Sequence, residues 1–378
     1  MAVINYITQI QFGYGALDSL QQECERLGIK RPLVVTDKGV RAAGIVDKVI
    51  ARLGGVAPDI FDETPANPNE QAVRKATGVF RAGGHDGIIA VGGGSSIDLA
   101  KGVAVCARHD GPLAGFAMVE GGVGRITAAT APVIAIPTTA GTGSEVGRGA
   151  VLILDDGRKV GVISAHVVPK VAICDPALTL ALPPMLTAAT GMDAVAHCIE
   201  TFLAPAFNPP ADGIALDGLR RAWKHIEAAT ENPSDRDARL NMMSASMQGA
   251  LAFQKGLGCV HSLSHALGGI DPRLHHGTLN AVFLPAVVTF NSSAPTVQQD
   301  DKMARLAQAM GLGSGQEVVP ALSAMVARLG LPTGLAQMGV TEDLFPRAIA
   351  SALKDHCHGT NPRVASEQDY RAMLSDSM

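Results

Sequence analysis

Three stretches of the chain carry residue types that fit one metal site. Asp193 and His197 lie four apart in GMDAVAHCIE, His261 and His265 lie four apart in HSLSHALGG, and His275 and His276 follow in LHHGTLNAVFLP. A four-residue step sets two side chains on one helix face about one turn apart, so each pair can point at a common centre. A carboxylate oxygen with imidazole nitrogens suits a divalent ion such as iron or zinc. Any one of these histidines alone reads as a hydrogen-bonded core or surface residue. Together they fall at helical spacing in apolar, low-charge segments, where ionisable groups are seldom buried without a partner.

A second set of residues has the chemistry of phosphate binding. The apolar run DGIIAV leads into Gly92, Gly93, Gly94, Ser95 and Ser96, and a helical pattern with Asp98 near its start follows. Glycines let the backbone approach a bulky anion, and a helix N-terminus offers free amides and partial positive charge. The run lacks the GxGxxG fingerprint, because Ile97 stands where the last glycine belongs. A plain structural turn is the competing reading. A polar turn from Thr138 to Glu145, with Thr139, Thr142 and Ser144, follows the strand pattern APVIAIP, either beside a ligand or as a capped helix start. Asp37 ends PLVVTD, where a carboxylate can accept from a ribose diol and repel a 2′-phosphate, which favours NAD over NADP; capping the next turn is its other use.

The elements that must hold these residues fall into two textures. Up to residue 182, short β-branched runs (PLVVTD, APDIFDE, DGIIAVGGG, APVIAIPTT, VAICDP) alternate with helical stretches, which predicts a parallel sheet with crossover helices. From 183 onward helix-period segments dominate, entered at Pro183, Pro184 and Thr187. The expected division is an α/β dinucleotide-binding domain of Rossmann-like type over 1–182 and an all-α metal-binding and catalytic domain over 183–378.

Composition narrows the partners. A chain of 378 residues, 47% hydrophobic, has room for two cores. A net charge of -4 and 4% aromatic content give neither a basic field nor a stacking ladder for nucleic acid. Six scattered cysteines without CxxC point to a reduced compartment, with the cytoplasm as the default. The N-terminal MAVINYITQIQFGYGAL has no basic start followed by a long apolar core, and no segment has the length of an uninterrupted membrane span, so neither a signal peptide nor a membrane partner is expected.

With GGGSSID, TTAGTGSE, GMDAVAHCIE, HSLSH and HHG in this order, the chain resembles the iron-containing, group III alcohol dehydrogenases over nearly its whole length. The resemblance implies a dehydroquinate synthase-like architecture, NAD as cofactor, and Fe2+, or Zn2+, as metal. It carries the metal ligands over to Asp193, His197, His261 and the histidine before glycine, His276. The step from His261 to His276 is one residue longer than the usual family spacing, which leaves His275 as the alternative; His-Gly followed by an apolar helix favours His276. His265 matches a substrate-side histidine rather than a ligand, and an imidazole titrating near neutral pH can relay a proton. Gly93, Gly94, Ser95 and Asp98 match phosphate-loop positions, and Thr138, Thr139, Thr142, Lys159 and Leu182 match other cofactor contacts.

Within the family the chain is most similar to the 4-hydroxybutyrate dehydrogenases, through LNMMSASMQGALAFQKGLGCVHSLSH, ETFLAPAFNPPADGIALDG and DHCHGTNP. That similarity implies exchange of hydride between NAD and 4-hydroxybutyrate or succinate semialdehyde. Lys255, close in sequence to the metal helix, is the expected partner of the substrate carboxylate, with Arg148 and Arg158 as further cations; a solvated surface lysine is the plainer reading. Cys357 and His358 fall in a segment similar to a substrate-side loop. Competing readings are another group III enzyme acting on 1,2-propanediol or butanol, a maleylacetate reductase, or a lyase of the dehydroquinate synthase type that uses NAD transiently. The resemblance also implies a homodimer or a higher homo-oligomer.

Overall fold

The computed structural model describes residues 8–378, which divide into two compact units. One unit holds residues 8–139 and Gly143–Leu182; the other holds Ala140–Thr142 and Pro183–Met378.

In the first unit the strands are β1 (Gln9–Phe12), β2 (Pro32–Val35), β3 (Asp59–Phe61), β4 (Gly87–Gly92), β5 (Val133–Pro137), β6 (Gly149–Ile153), β7 (Lys159–Ile163) and β8 (Val171–Cys174). The helices between them are α1 (Leu20–Leu27), α2 (Lys38–Ala42), α3 (Ile45–Ile50), α4 (Glu70–Ala82) and α5 (Gly94–Cys106). Six strands pair in parallel in the order β1-β8-β5-β4-β2-β3. Successive strand residues point to opposite faces. Thus Leu33, Val35, Ile88, Ala90, Val133 and Ala135 join a core that includes residues of α4 and α5, while Val34, Ile89, Val91, Ile134 and Ile136 join one with residues of α1 and α3. Because both faces are covered, these strands read as unbroken apolar runs rather than alternating ones.

The antiparallel hairpin β6-β7 lies outside the sequence expectation. Its turn closes with Leu154 N–H donating to Arg158 O at 2.9 Å and Gly157 at φ +83°, so the Asp155-Asp156-Gly157 run was the local signal. Strand β1 carries no strand signal of its own: its sequence QIQF is only partly apolar and gains its place by pairing with β8.

The second unit is helical: α6 (Pro184–Leu203), α7 (Pro209–Glu231), α8 (Arg236–Ala252), α9 (Cys259–Ile270), α10 (His276–Ser292), α11 (Pro295–Gln299), α12 (Lys302–Met310), α13 (Val318–Arg328), α14 (Phe345–Ala352) and α15 (Glu367–Asp376). The entry read at Pro183 and Pro184 is the start of α6, with Pro184 at its first turn, where a missing N–H costs nothing. From Thr187 to Leu203 every residue of α6 is buried. A helix buried on all sides belongs at the centre of a bundle, and α6 is part of the main core together with residues of α7, α8, α9 and α10. Among the described residues no helix is long and apolar enough to cross a membrane.

Candidate metal centre and cofactor turn

A fully buried helix cannot carry Asp193, His197 and Glu200 without partners, and these three lie on one face of α6 at steps of four and three. α9 brings His261 and His265, and α10 begins at His276. The Nε2 atoms of His197, His261 and His276 stand 3.6, 3.7 and 3.7 Å from Asp193 Oδ1. Four donors at tetrahedral corners around a zinc-sized ion, with bonds of ~2.1 Å, would stand about 3.4 Å apart. The ligand atoms of Asp193, His197 and His261 all lie within 4.8 Å of one another, so these three fit a cation, and His276 stands beside them through Asp193.

The electrostatics show the same fit. Burial pushes the Asp193 carboxyl up, but His197, His261 and His276 outweigh it and hold the group well below the usual carboxylate range. Burial brings His197 down to about 4 against the pull of Asp193, so this imidazole is neutral with a lone pair to give. Burial also opposes charge on His261, but Glu200 and Asp193 outweigh it and raise the imidazole to about 9, so a cation entering the cluster must displace the proton on its Nε2. Asn280, one turn after His276, donates from Nδ2 to Asp193 Oδ1 at 2.7 Å and faces the Nε2 atoms of His261 and His276 at 3.3 and 3.2 Å. Two amide hydrogens are thus set against three electron-pair donors, while Asn280 Oδ1 is buried without a partner. Donors crowded around a single point call for a positive charge.

The remaining histidines separate into distinct uses. His275 is the N-cap of α10, accepting from Thr278 N–H at 3.4 Å, while His276 joins the donor cluster with its side chain 25% exposed, the most open of the four. His265 is stacked on His276, with ring centroids 5.4 Å apart, and its Nδ1 lies 3.0 Å from Asp355 Oδ2. Asp355 is fixed in turn by the backbone N–H of Cys357 at 2.8 Å. His265, Asp355, His356 and Cys357 form a second gathering of donor atoms. His358 turns elsewhere, to the Tyr370 hydroxyl at 2.9 Å, and Cys357 is a buried free thiol.

Lys255 requires a correction. Its ammonium is buried and bonded to Asp212 Oδ1 at 2.5 Å and to Phe202 O at 3.0 Å. A cation already neutralised by an internal carboxylate is not the partner of a substrate carboxylate. Closeness in sequence to α9 misled, because the side chain turns back toward α7. Arg158 is likewise spent, on Asp156 and Glu120 at the surface.

In the α/β unit, β4 turns sharply into α5. Gly92 sits at φ +150°, and a Cβ there would stand 2.5 Å from Ser96 Oγ. The first turn of α5, with Gly93 as N-cap, Gly94 and Ser95, carries no side-chain cap and no acidic residue, which leaves an amide-lined helix start. Thr139 lies against Gly93, and Thr138 N–H donates to Gly92 O at 3.0 Å, so the two polar turns adjoin; Thr142 belongs to the helical unit. Asp37 caps α2 through Val40 N–H at 2.9 Å and accepts from Ser96 Oγ at 3.1 Å, which ties it to the glycine turn. Lys159 donates to Asn67 Oδ1 at 3.0 Å, and Leu182 N–H closes a turn onto Thr179 O at 3.0 Å. Asp98 has a different use from the ligand contact expected of it. Its two oxygens accept from Ser144 Oγ at 2.5 Å and Val151 N–H at 2.9 Å, so it braces the Ser144 turn and β6.

A Rossmann-like parallel sheet followed by a helical domain that gathers three histidines and one carboxylate, with His276 the partly open member, has the dehydroquinate synthase-like architecture. The sequence comparisons define it further. Residues 8–176 match the iron-containing alcohol dehydrogenase family and residues 187–378 match the C-terminal region of the Fe-containing alcohol dehydrogenase family. The chain belongs to the iron-containing alcohol dehydrogenases, a family of oxidoreductases. It is 65% identical to a 4-hydroxybutyrate dehydrogenase of Cupriavidus necator, covering 100% of both chains, and 37% identical to a 1,3-propanediol dehydrogenase of Klebsiella pneumoniae, covering 96% and 95%. Among solved structures, a 1,3-propanediol oxidoreductase superposes with a TM-score of 0.93 at 35% identity over 100% of both chains. An iron-containing alcohol dehydrogenase of Thermotoga maritima gives 0.87 at 27%, covering 100% and 98%.

Proposed function

We propose that this enzyme oxidises 4-hydroxybutyrate to succinate semialdehyde, with NAD+ taking the hydride and one proton released, and that it runs the reverse reduction. The observation that carries the chemistry is the gathering of ligand atoms from Asp193, His197 and His261 within 4.8 Å of one another, with His276 Nε2 3.7 Å from Asp193 Oδ1. The substrate rests on the 65% identity over the full chain.

The chemistry supplied there by Fe2+, or by Zn2+, is Lewis-acid polarisation of the alcohol or carbonyl oxygen, and the nicotinamide supplies hydride exchange. Asp193, His197, His261 and His276 would hold the cation; one carboxylate and three neutral imidazoles leave a net positive centre. Asp355 holds His265 by its Nδ1, which orients the ring to pass a proton through Nε2. Gly93, Gly94 and Ser95 offer the α5 amides to the pyrophosphate, with Thr138, Thr139, Thr142, Lys159 and Leu182 as further cofactor contacts. Asp37, on the glycine turn, supports NAD over NADP, because its charge opposes a 2′-phosphate. Six free cysteines support a cytoplasmic location, and the family resemblance supports a homo-oligomer, beginning with a homodimer.

Metal-reconstituted protein assayed with NAD+ against 4-hydroxybutyrate, 1,2-propanediol, glycerol and n-butanol tests this reading through NADH absorbance. The largest kcat/KM is expected on 4-hydroxybutyrate. No NADH from any substrate, or a clear preference for an uncharged alcohol, refutes it.

A further inference from the structure

We infer that Glu200 is a positioning residue that fixes the tautomer of His261, so that Nε2 is the nitrogen with a lone pair for the cation; this rests on the metal reading above. His261 Nδ1 lies 2.5 Å from Glu200 Oε2. The other oxygen, Oε1, accepts the backbone N–H of Val260 at 2.8 Å, in the buried first turn of α9, where amides have no partner within the helix. Both groups are buried, with 3% and 2% of their surface accessible, so water does not compete for these contacts. A carboxylate accepts only. Whenever His261 holds a single proton that proton is therefore on Nδ1, and Nε2, which faces Asp193, Asn280 and the rest of the cluster, is left as the donor of an electron pair.

The geometry makes the glutamine variant a sharp probe. Val260 N–H needs an acceptor, so the amide of Glu200→Gln keeps its oxygen on Val260 and turns its NH2 toward His261. An amide NH2 donates; Nδ1 must then accept, and the proton moves to Nε2, where it blocks metal binding. Loss of an outer carboxylate behind a ligating histidine costs on the order of 10–100-fold in metal affinity. Glu200→Asp keeps an accept-only group with a shorter reach, so it leaves the Nδ1–H tautomer in place.

The experiment is chelator competition for Zn2+ on the full-length protein, together with histidine 15N–1H correlation spectra of the metal-free protein at a pH high enough that His261 holds a single proton, for wild type, Glu200→Gln, Glu200→Asp and Asp193→Asn. Glu200→Gln is expected to bind Zn2+ 10–100-fold more weakly and to move the His261 proton from Nδ1 to Nε2. Glu200→Asp should fall between it and wild type, with the tautomer unchanged. If Glu200→Gln does not fold, Glu200→Asp decides by the same two readouts: an affinity equal to wild type, or a proton on Nε2, overturns the inference. Weakened binding in Glu200→Gln with the proton still on Nδ1 marks a merely structural role and also overturns it. Wild-type affinity in Glu200→Gln while Asp193→Asn has lost Zn2+ rejects the Glu200 role and leaves the metal reading standing. Full affinity in Asp193→Asn rejects the metal reading itself.

Discussion

A Cβ placed on Gly277 would stand 2.3 Å from the carbonyl oxygen of Ala189, so α10 touches α6 at a place where only glycine fits. That contact sits one residue after His276 and four before Asp193 along α6, and it sets how closely the two ligand candidates approach. Gly277→Ala should force the helices apart. Overpacking of this kind costs about 1–3 kcal/mol. The expected outcome is a lower melting temperature and at least about a tenfold loss of metal affinity, following the loss expected when the support of a ligand is disturbed. Metal content after gel filtration, with thermal melting, checks it. A variant that keeps a full equivalent of metal would show that the close approach is packing alone.

Lys255→Met separates stability from specificity. The ammonium is buried against Asp212, whose side chain is 21% exposed. Removing one partner of a buried pair leaves the other uncompensated; partial hydration of Asp212 reduces the usual penalty to about 1–3 kcal/mol. The melting temperature should fall, while the ratio of kcat/KM on 4-hydroxybutyrate to that on n-butanol stays unchanged. A selective loss on the hydroxy acid would restore the substrate-binding role that the geometry denies to this lysine.

Asp355→Asn tests the support of His265. Burial works against charge on Asp355, but His265 and His356 outweigh it and keep its carboxyl well below the usual range, so it is an acceptor for the His265 Nδ1–H. An amide can turn its NH2 to the ring and reverse the tautomer. The expected result is a kcat lower by about 10²–10⁴-fold, the range of general acid–base contributions, with KM nearly unchanged and metal retained. Steady-state kinetics beside metal analysis give the answer. Unchanged kcat would remove the proton role from the pair.

The sequence showed the strands as apolar runs and the ligand helices as residues four apart, because both features are local: strand burial on two faces and helix periodicity leave their mark within ten residues. Glu200 followed the same stripe, seven residues after Asp193, but a glutamate near a helix end reads as solvated until the burial of all of α6 is known. Asn280 was one turn past His276 and hidden for the same reason. Asp355 opens the DHCHGTNP stretch, but its pairing with His265 spans 90 positions of sequence and leaves no local sign. Lys255 shows the same limit: its partner Asp212 lies 43 residues away, so closeness to the metal helix in sequence does not make this cation close to the site in space. Local chemistry was legible, and long-range pairing was not.

The buried charges of the α/β unit predict a pH signature of stability. Burial pushes Glu145 up to about 7 from 4.5, against its own backbone N–H and Lys101. The folded protein then holds this proton more tightly than the unfolded chain, so stability present below about 4.5 is lost as the pH rises toward 7. Lys101 works in the opposite sense. Its ammonium donates to Ser144 Oγ, Gly147 O and Gly149 O, and burial lowers it to about 8 from 10.5, against Asp98 and Glu145. Between those values the unfolded chain binds the extra proton, and stability rises with pH. Glu145→Gln removes the first effect and, by taking that carboxylate away from Lys101, lets burial lower the ammonium a little further. Urea midpoints from pH 5 to 7.5 should show the variant gaining on wild type as pH rises, by at most about 3 kcal/mol, and the two curves should run closer to parallel above pH 8. Curves that stay parallel from pH 5 to 7.5 would mean that Glu145 titrates in the fold as it does in the unfolded chain.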